Sequence, residues 1–579
     1  MAMRRPRKDA PARTTGNAVE IKRELKKAPG TVGRGLGPLA VGGGPLPAEA
    51  PRYRIGGIAL SDIYRLAKPR KKGLLSLLFS RFFLIVVLLI VQVLLIINFY
   101  GWLGNRLPFF SVITVLFTVG GVIYLFNSSM DSSAKLTWMF IISLMPITGV
   151  ALLAFTQSNL GHKSIQDRVN ALIGMTREAI EQPEGAMAAL DGDPAGTDDL
   201  VTFLNRSGRF PVYDDTEVTY FPLGEDKFAA MLEELKKAEK FIFMEYFIIE
   251  EGYMWGSILR ILEEKAKAGV DVRVMYDGML EISLLPANYC ELLEEHGIKA
   301  KVFAPIRPIV SSHYNYRDHR KILVIDGKVA FNGGVNLADE YINRVERFGH
   351  WKDTAVMLKG DAARSFTLMF LQMWNITEKE PRFEPWLKQT GYVPEHPSGF
   401  VIPFGDCPLD EDKTGRAVYM DILNRATDYV HVMTPYLILD DELETAIKYA
   451  AQRGVDVKLI LPGIPDKKLA FALAKSHYQR LVDAGVRIYE YAPGFVHAKV
   501  FVSDDKKAVV GTINLDYRSL YHHFECATYM YKTDCVADVE RDFQETLARC
   551  SEVTQESIKN EKLSYKIMGS LMKFIAPLM

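Results

Sequence analysis

Two stretches of the sequence carry the same pattern of residues that could do chemistry. Both follow the spacing H-x-K-x4-D-x6-G-x-x-N. The first consists of His319, Lys321, Asp326, Gly333 and Asn336, and the second of His497, Lys499, Asp504, Gly511 and Asn514. A chance match to one such pattern is roughly one in ten thousand, because each residue type makes up only a few per cent of an average protein. Two matches predict one site assembled from two copies of a motif.

The residue types suit cleavage and transfer at a phosphodiester. This group is negatively charged and its alkoxide leaves poorly, so it needs a nucleophile, cations on the non-bridging oxygens and an acid. Histidine serves as nucleophile or acid because its pKa lies near neutrality. Two equivalent histidines share their protons, so one neutral and one protonated ring supply both roles. Lysines supply positive charge, and no metal or cofactor is predicted.

The motif residues divide by their expected positions. "HRKILVID" and "HAKVFVSD" have the composition of strands, so His319 and Lys321 share one face, as do His497 and Lys499. The glycine turns allow close approach to an anion, which predicts phosphate binding by Gly333, Asn336, Gly511 and Asn514. Asp326 and Asp504 are counted with the catalytic set, but their opposite strand parity favours a structural role.

The segments around the motifs alternate helical patterns with short apolar runs, which predicts an α/β fold. An internal repeat accompanies the alternation, since "KAGVDVRVMYDG" matches "QRGVDVKLILPG" and "EEHGIKAKVFAP" matches "VDAGVRIYEYAP". We predict two homologous halves with mixed sheets flanked by helices, related by a pseudo-two-fold axis that brings the motifs together. The predicted halves are 213–385 and 400–556, with linkers at 159–212 and 386–399.

The N-terminal part has a different composition. Residues 1–72 are basic and rich in Gly and Pro, which predicts a disordered tail attracted to anionic lipid. Three apolar runs follow, each near the ~20 residues that cross a bilayer. They predict a transmembrane region at 73–158, with spans at 82–100, 107–126 and 134–156. Pro146 either kinks the third run or makes it re-entrant.

The topology depends on that third run. A basic tail is predicted to stay in the cytoplasm. Three crossings then place the rest of the chain on the outer face, which we favour, and two crossings with a re-entrant segment place it inside. Residues 557–579 are amphipathic, which fits either a helix packed on the body or one lying on a membrane.

Composition excludes some classes of protein. The 579 residues have zero net charge, which argues against a dedicated nucleic-acid binder. The five cysteines are irregularly spaced and predict neither a disulfide framework nor a metal site. Four further histidines flank the motifs without metal-ligand spacing and are interpreted as rim or packing residues: His313, His350, His522 and His523.

The double motif resembles the phospholipase D superfamily and, within it, the bacterial cardiolipin synthases. The supporting stretches are "GGVNLADEY", "HWKDT", "TPYLILDDEL", "DKKLAFALAKSHY", "GTINLDYRSLYHHFE" and the terminal "APLM". The resemblance extends from Phe82 to the end and does not explain the basic tail.

The resemblance implies a phosphatidyltransferase that converts two phosphatidylglycerol molecules into cardiolipin and glycerol. His319 would form a phosphatidyl-histidine and His497 would act as acid and then base, although the reverse assignment stays open. The phosphoryl oxygens would be held by Lys321, Lys499, Asn336 and Asn514, and the histidines oriented by Asp353 and Glu525. Thr512 stands where the superfamily more often has serine.

The resemblance also implies a multi-pass protein of the bacterial plasma membrane. Its partners would be phosphatidylglycerol, cardiolipin and the anionic bilayer, with no nucleic acid and with homo-oligomers left open. Water as acceptor would make a phospholipase, and serine or ethanolamine would give other lipids. A nuclease is disfavoured by the apolar runs, and a non-catalytic scaffold by the complete motifs.

Overall fold

The computed structural model describes residues 109–157, 163–305, 316–388, 390–410 and 412–578, with short pieces at 54–55, 58–59, 64–66, 94 and 101–102. Apart from those pieces, the predicted disordered tail and the first predicted membrane run lie outside the described residues, as does His313. The elements described below belong to one unit that extends from Arg54 to Met579.

Helices connect the strands and cover the sheets. In chain order they are α1 Phe110–Asn127, α2 Ser132–Leu144, α3 Pro146–Gln157, α4 Lys163–Met175, α5 Glu184–Leu190, α6 Thr197–Ser207, α7 Gly224–Lys236, α8 Tyr253–Lys267, α9 Leu280–Ser283, α10 Tyr289–Glu295, α11 Ala363–Trp374, α12 Glu384–Leu387, α13 Thr414–Arg425, α14 Asp441–Gln452, α15 Lys468–Asp483, α16 Tyr517–Tyr521, α17 Cys535–Leu547, α18 Gln555–Lys559 and α19 Leu563–Ile575. Those packed on sheets bury residues three and four apart, as Met254, Ile258 and Ile261 do in α8.

Two sheets are built from short, mostly buried strands. The strands of the first half are β1 Glu217–Phe221, β2 Phe241–Tyr246, β3 Asp271–Asp277, β4 Lys299–Phe303, β5 Arg317–Asp318, β6 Lys321–Ile325, β7 Val329–Gly333, β8 His350–Lys352 and β9 Ala355–Lys359. Those of the second are β10 Phe400–Asp406, β11 Tyr429–Met433, β12 Asp456–Pro462, β13 Arg487–Tyr491, β14 Gly494–Val496, β15 Val500–Ser503, β16 Lys507–Gly511, β17 His523–Tyr531 and β18 Cys550–Glu552.

The two sheets have the same strand order over seven positions. The first runs β1-β9-β7-β6-β2-β3-β4, and the second runs β10-β17-β16-β15-β11-β12-β13 with β18 added at its edge. In each sheet the last three of these strands are parallel to one another and the other pairings are antiparallel. This confirms the predicted α/β fold with mixed sheets.

A shared apolar core joins the halves. Helices α11 and α17 each pack against strands of both sheets, and Phe366, Phe370 and Phe543 on them are fully buried. A buried ion pair crosses the same interface, where Lys352 Nζ lies 2.7 Å from the Asp542 carboxylate. The two motifs are therefore fixed relative to each other by packing as well as by the strand pairings described next.

The helices before the first sheet correct the prediction of a transmembrane region. Within the described parts of the chain, no helix is long and apolar enough to cross a membrane. The second and third predicted crossings are therefore not supported, and neither is the multi-pass protein that was inferred from three crossings. The second run corresponds to α1, and the third is divided between α2 and α3. Pro146 interrupts that run because proline cannot donate the N–H bond that would continue α2, whereas it fits the start of α3.

Candidate active site

A short parallel strand pairing between the halves positions His319. Strand β5 lies beside the first two residues of β17. His319 comes directly after β5, and its backbone N–H donates to the carbonyl of Phe524 at 2.9 Å. Its Nδ1 lies 2.9 Å from each carboxylate oxygen of Glu525. The histidine of the first motif thus contacts an acidic residue of the second half.

A second pairing repeats this arrangement with the halves exchanged. Strands β8 and β14 are parallel, and His497 comes directly after β14. Its backbone N–H donates to the carbonyl of Lys352 at 2.7 Å, and its Nδ1 lies 2.6 Å from Asp353 Oδ2. Both acids are completely buried. Each half therefore supplies the histidine of one pair and the acid of the other.

The motif histidines lie just before the predicted strands. β6 begins at Lys321 and β15 at Val500, so the strands are shorter than predicted, and the prediction that each lysine shares a face with its histidine stays a prediction. Each lysine contacts the backbone of its own motif: Lys321 Nζ donates to the His319 carbonyl at 2.6 Å, and Lys499 Nζ donates to the His497 carbonyl. Both lysines are almost completely buried, which leaves two cations fixed beside the histidines.

Burial controls the protonation of these groups. It lowers the pKa of His319 well below the ordinary value, against the opposing effect of Glu525. Burial and the neighbouring cation of Lys499 lower the pKa of His497 to about 4. Burial also lowers the pKa of Lys321 to about 8 and that of Lys499 to about 7, with the charge of Lys321 contributing to the latter. The basic groups of both motifs thus act on one another within a single site.

Glu525 remains ionised despite its burial. Although burial raises its pKa, the contact with His319 Nδ1 at 2.9 Å holds that pKa well below its usual value. The hydroxyl of Thr512 also donates to this carboxylate. The corresponding position in the first motif is Gly334, where a Cβ would lie 2.1 Å from Asp353 Oδ1. Thr512 therefore preserves the hydroxyl that the resemblance to the superfamily leads one to expect.

The surroundings of His497 are aromatic. Its ring centroid lies 5.4 Å from that of Tyr341, 5.6 Å from that of Trp351 and 5.8 Å from that of Phe495. Such walls provide little solvation for an imidazolium, which is the physical reason for the low pKa. A bound anion would restore the charged form.

The two asparagines differ in their contacts. Asn336 Oδ1 accepts from the backbone N–H of Ile248 at 3.0 Å, and its Nδ2 donates to the Tyr341 hydroxyl at 2.8 Å. Asn514 is 5% exposed and its Oδ1 has no hydrogen-bond partner among the described residues. Asn336 therefore braces an aromatic wall of the site, whereas Asn514 has unused hydrogen-bonding capacity.

The motif glycines permit close packing of strands. Gly333 ends β7 with φ +147°, and a Cβ there would lie 2.5 Å from the backbone of Thr354 and Ala355. A Cβ on Gly511, which ends β16, would lie 2.3 Å from Ala527 Cβ. These contacts explain both glycines without an anion. Their predicted role in phosphate binding stays a prediction.

The motif aspartates hold backbone. The Asp326 carboxylate accepts from the backbone N–H groups of residues 239, 240 and 241 at 2.7–2.9 Å. Asp504 accepts in the same way from residues 427, 428 and 429 at 2.9–3.0 Å. These bonds fix the entry into β2 and β11. The contacts agree with the parity argument for a structural role rather than with the catalytic grouping.

Two buried residues at the site escaped the sequence analysis. His523, interpreted there as a rim or packing residue, lies with its ring centroid 5.3 Å from that of His319, and its Nδ1 lies 3.5 Å from Glu525 Oε1. Lys227 is completely buried, donates to the Val335 carbonyl at 3.2 Å, and has its pKa lowered by burial to about 7. The available signal was a lysine on the apolar face of α7.

One group of side chains has metal-binding geometry. Among the described residues, donor atoms of His319, His523 and Glu525 lie within 4.8 Å of one another. The Glu525 carboxylate is already occupied by His319 and Thr512, as described above. Within the group, Glu525 is hydrogen-bonded to His319, and His523 lies beside both of them. What the whole arrangement provides is two buried imidazoles, each held through Nδ1 by a carboxylate, and buried cations for an anionic group.

Comparison with known proteins identifies the family of this chain. The family model described as "Cardiolipin synthase, PLD-like domain" matches residues 231–374 and 419–547. Cardiolipin synthase 2 of Bacillus anthracis is 34% identical over 466 residues, which cover 80% of this chain and 90% of that protein. An uncharacterized protein of Streptococcus mutans is 58% identical over 461 residues, covering 80% of this chain and 100% of that protein.

A solved structure supports the fold. The crystal structure of the phosphatidylserine synthase of Haemophilus influenzae has a TM-score of 0.51 at 17% identity, covering 66% of this chain and 97% of that chain. At this identity the likeness concerns the fold alone. The sequence relatives and the family match carry the assignment further: the chain belongs to the cardiolipin synthase family of phospholipase D-like proteins.

Proposed function

We propose that the protein synthesises cardiolipin by transferring a phosphatidyl group from one phosphatidylglycerol molecule to another. Membership of the family makes it a phosphatidyltransferase. The observation that carries the proposal is the crossed pair of buried histidine–acid contacts, His319 with Glu525 and His497 with Asp353. It supplies two imidazoles in one cationic site, which a double displacement at a phosphodiester requires.

The first displacement uses His319 as nucleophile. Its Nδ1–H donates to Glu525, which directs the lone pair of Nε2 towards the phosphorus. As the P–N bond forms, the bond between phosphorus and the glycerol oxygen breaks, and His497 gives its proton to that oxygen. Lys321 and Lys499, both buried beside the histidines, stabilise charge on the non-bridging oxygens in this proposal. Glycerol leaves, and a phosphatidyl-histidine remains.

The second displacement reverses the proton transfer. His497, now neutral, accepts the proton of a glycerol hydroxyl on a second phosphatidylglycerol. The resulting oxygen attacks phosphorus, the P–N bond breaks, and cardiolipin forms while His319 is regenerated. The low pKa of His497 keeps its ring neutral and therefore available to accept a proton, and the charge of the bound phosphodiester raises its proton affinity for its role as acid.

The proposal places the reaction on lipid at a bilayer surface. A reconstituted assay tests it: the full chain in vesicles of phosphatidylglycerol, with products followed by lipid mass spectrometry. We expect cardiolipin and glycerol from the wild type and none from His319→Ala. Phosphatidic acid as the only product would mean that water is the acceptor and would contradict the synthase assignment.

The nucleophile is tested separately. A phosphatidyl ester with a good leaving group needs no acid in the first step, so His497→Ala should accumulate a covalent adduct. We expect that adduct on His319 by peptide mass spectrometry and none in His319→Ala. An adduct on His497 in the His319→Ala protein would reverse the assigned roles.

A further inference from the structure

The C-terminal helix α19 has two different faces. Its inner face packs on α15, where a Cβ on Gly569 would lie 2.4 Å from the Ala472 carbonyl, so only glycine permits this approach. Met572 is buried on the same side. Its outer face exposes Leu563 by 71%, Ile567 by 53% and Leu571 by 62%, residues four apart along one stripe.

The apolar surface continues onto α2. Thr137 Oγ1 donates to the Phe574 carbonyl at 2.7 Å, and the rings of Phe140 and Phe574 meet edge to face at 4.6 Å. Phe140 is also 53% exposed, and Leu136 and Leu144 on α2 are exposed by 66% and 68%. One surface therefore extends from α19 across α2, and we call it the docking surface.

The neighbouring helix α1 also has an exposed apolar face. Its exposed apolar residues include Val115, Leu116, Val119, Ile123 and Phe126, which lie within an arc of about 100° on one side of the helix. Exposed apolar surface on several adjacent helices marks a contact with a partner or with a membrane. The lysines described next favour an anionic bilayer over a second copy of the chain, because a second copy would bring the same positive charges to this surface.

The charged residues near the docking surface indicate that the bilayer is anionic. From residue 562 to the end, the chain contains three lysines and no acid. Lys562 and Lys566 are exposed beside the apolar stripe, and Lys467 and Lys468 are exposed at the start of α15. An apolar face edged by lysines is the pattern of a helix that lies in the interface of an anionic membrane.

The docking surface lies beside the active-site segment. Met572 and Ala576 belong to a buried cluster with Tyr517 of α16. Tyr517 also lies beside Ser133 at the start of α2. Helix α16 directly connects Asn514 with His523, so a bilayer seated on α19 and α2 lies next to the segment that carries site residues.

We propose that α19 and α2 form the surface by which the enzyme rests on a bilayer containing anionic phospholipid, with α19 lying in its interface. The proposal rests on the proposed function, because lipid substrates must reach His319 from that bilayer. It adds the specific surface through which they arrive.

A label on the outer face of α19 tests the proposal. The full chain with Leu571→Cys carries a polarity-sensitive dye, in a background with the half-buried Cys290 and Cys550 replaced by serine. The matched control is Val393→Cys, because Val393 is 82% exposed on the connection between the halves. In phosphatidylglycerol vesicles we expect lipid-borne quenchers to quench the dye at 571 several-fold more than the dye at 393. Equal quenching at both positions would overturn the proposal, as would protection at 571 through self-association without lipid.

A kinetic test distinguishes docking from chemistry. Ile567→Glu places a charge on the exposed stripe without altering the packed face. We expect about tenfold or greater loss of cardiolipin synthesis on vesicles, with unchanged turnover of short-chain phosphatidylglycerol in solution. Unchanged activity on vesicles would overturn the docking surface. A wild type that makes no cardiolipin, but whose residue 571 is buried in lipid, would refute the proposed function and leave the docking surface supported.

Discussion

Binding of a phosphodiester should draw protons into the site. Burial disfavours the charged forms of two site residues, giving His497 a pKa of about 4 and Lys499 a pKa of about 7. A bound anion favours those charged forms, so the protons move from solvent to protein. The perturbation is the addition of glycerophosphoglycerol, the deacylated head group, which stays singly charged near neutral pH.

The size of this uptake follows from the charges. A unit charge about 4 Å away at an effective dielectric constant of about 20 contributes about 4 kcal/mol, or roughly a thousandfold in proton affinity. At pH 7 the protonated fraction of His497 then rises from about one in a thousand to about one half. That of Lys499 rises from about one half to nearly one. The expected uptake is about one proton per site.

Titration calorimetry in buffers of different ionisation enthalpy measures this number. His497→Ala should remove about half a proton of uptake at pH 7 and almost none at pH 8.5, where the lysines account for it. A binding heat that does not depend on the buffer would refute the reasoning. So would an uptake at pH 7 that His497→Ala leaves unchanged, because the low pKa would then not belong to this site.

Three substitutions test the supporting contacts. Glu525→Gln should lower kcat by about 10²–10⁴-fold with the fold intact, because an amide favours the wrong tautomer of His319. Steady-state kinetics measure kcat, and circular dichroism checks the fold. A decrease in kcat of less than about tenfold would contradict the pairing of His319 with Glu525. Asp326→Ala should lower the free energy of unfolding by about 2–4 kcal/mol, measured in urea, because three backbone N–H groups lose their acceptor. The kcat of the folded fraction should change less than about twofold. A large loss of kcat at unchanged stability would show that Asp326 belongs with the catalytic residues. Thr512→Val should lower the free energy of unfolding by about 1–2 kcal/mol in a thermal melt, whereas Thr512→Ser, which keeps the hydroxyl, should not. Equal stability of both variants would show that the hydroxyl does not contribute.

The sequence largely predicted which residues form the site, but it did not predict which of them contact one another. The repeated spacing identified the histidines and lysines, and the resemblance to the superfamily identified Asp353 and Glu525. Which acid serves which histidine depends on β5 with β17 and β8 with β14, strand contacts two or three residues long. Pairings this short between distant segments leave no pattern of their own in a sequence. They follow from how α11 and α17 dock the two sheets.

The residues missed by sequence analysis share a physical reason. Lys227 lies at a core position of α7, where a lysine is expected only if the fold provides partners such as the Val335 carbonyl. His523 differs from ordinary packing histidines only by its distance from His319, which no spacing rule predicts. In the third apolar run, Pro146 is recognisable from the sequence as a point of interruption, but the prediction still counts the run as one segment, whereas the structure divides it into α2 and α3 at that residue.

Because each motif histidine contacts an acid from the other half, the candidate site exists only at the interface between the halves. Neither half contains both the motif histidine and the acid that contacts it, because His319 pairs with Glu525 and His497 with Asp353. Both pairs follow strand contacts in which a histidine N–H bonds to the carbonyl that precedes the partner acid, so backbone and side chain fix the same register. The Lys352–Asp542 ion pair joins β8 to α17 at that same interface. Small relative movements of the halves would therefore alter both pairs together, which ties the correct tautomer of each histidine to the correct docking of the sheets.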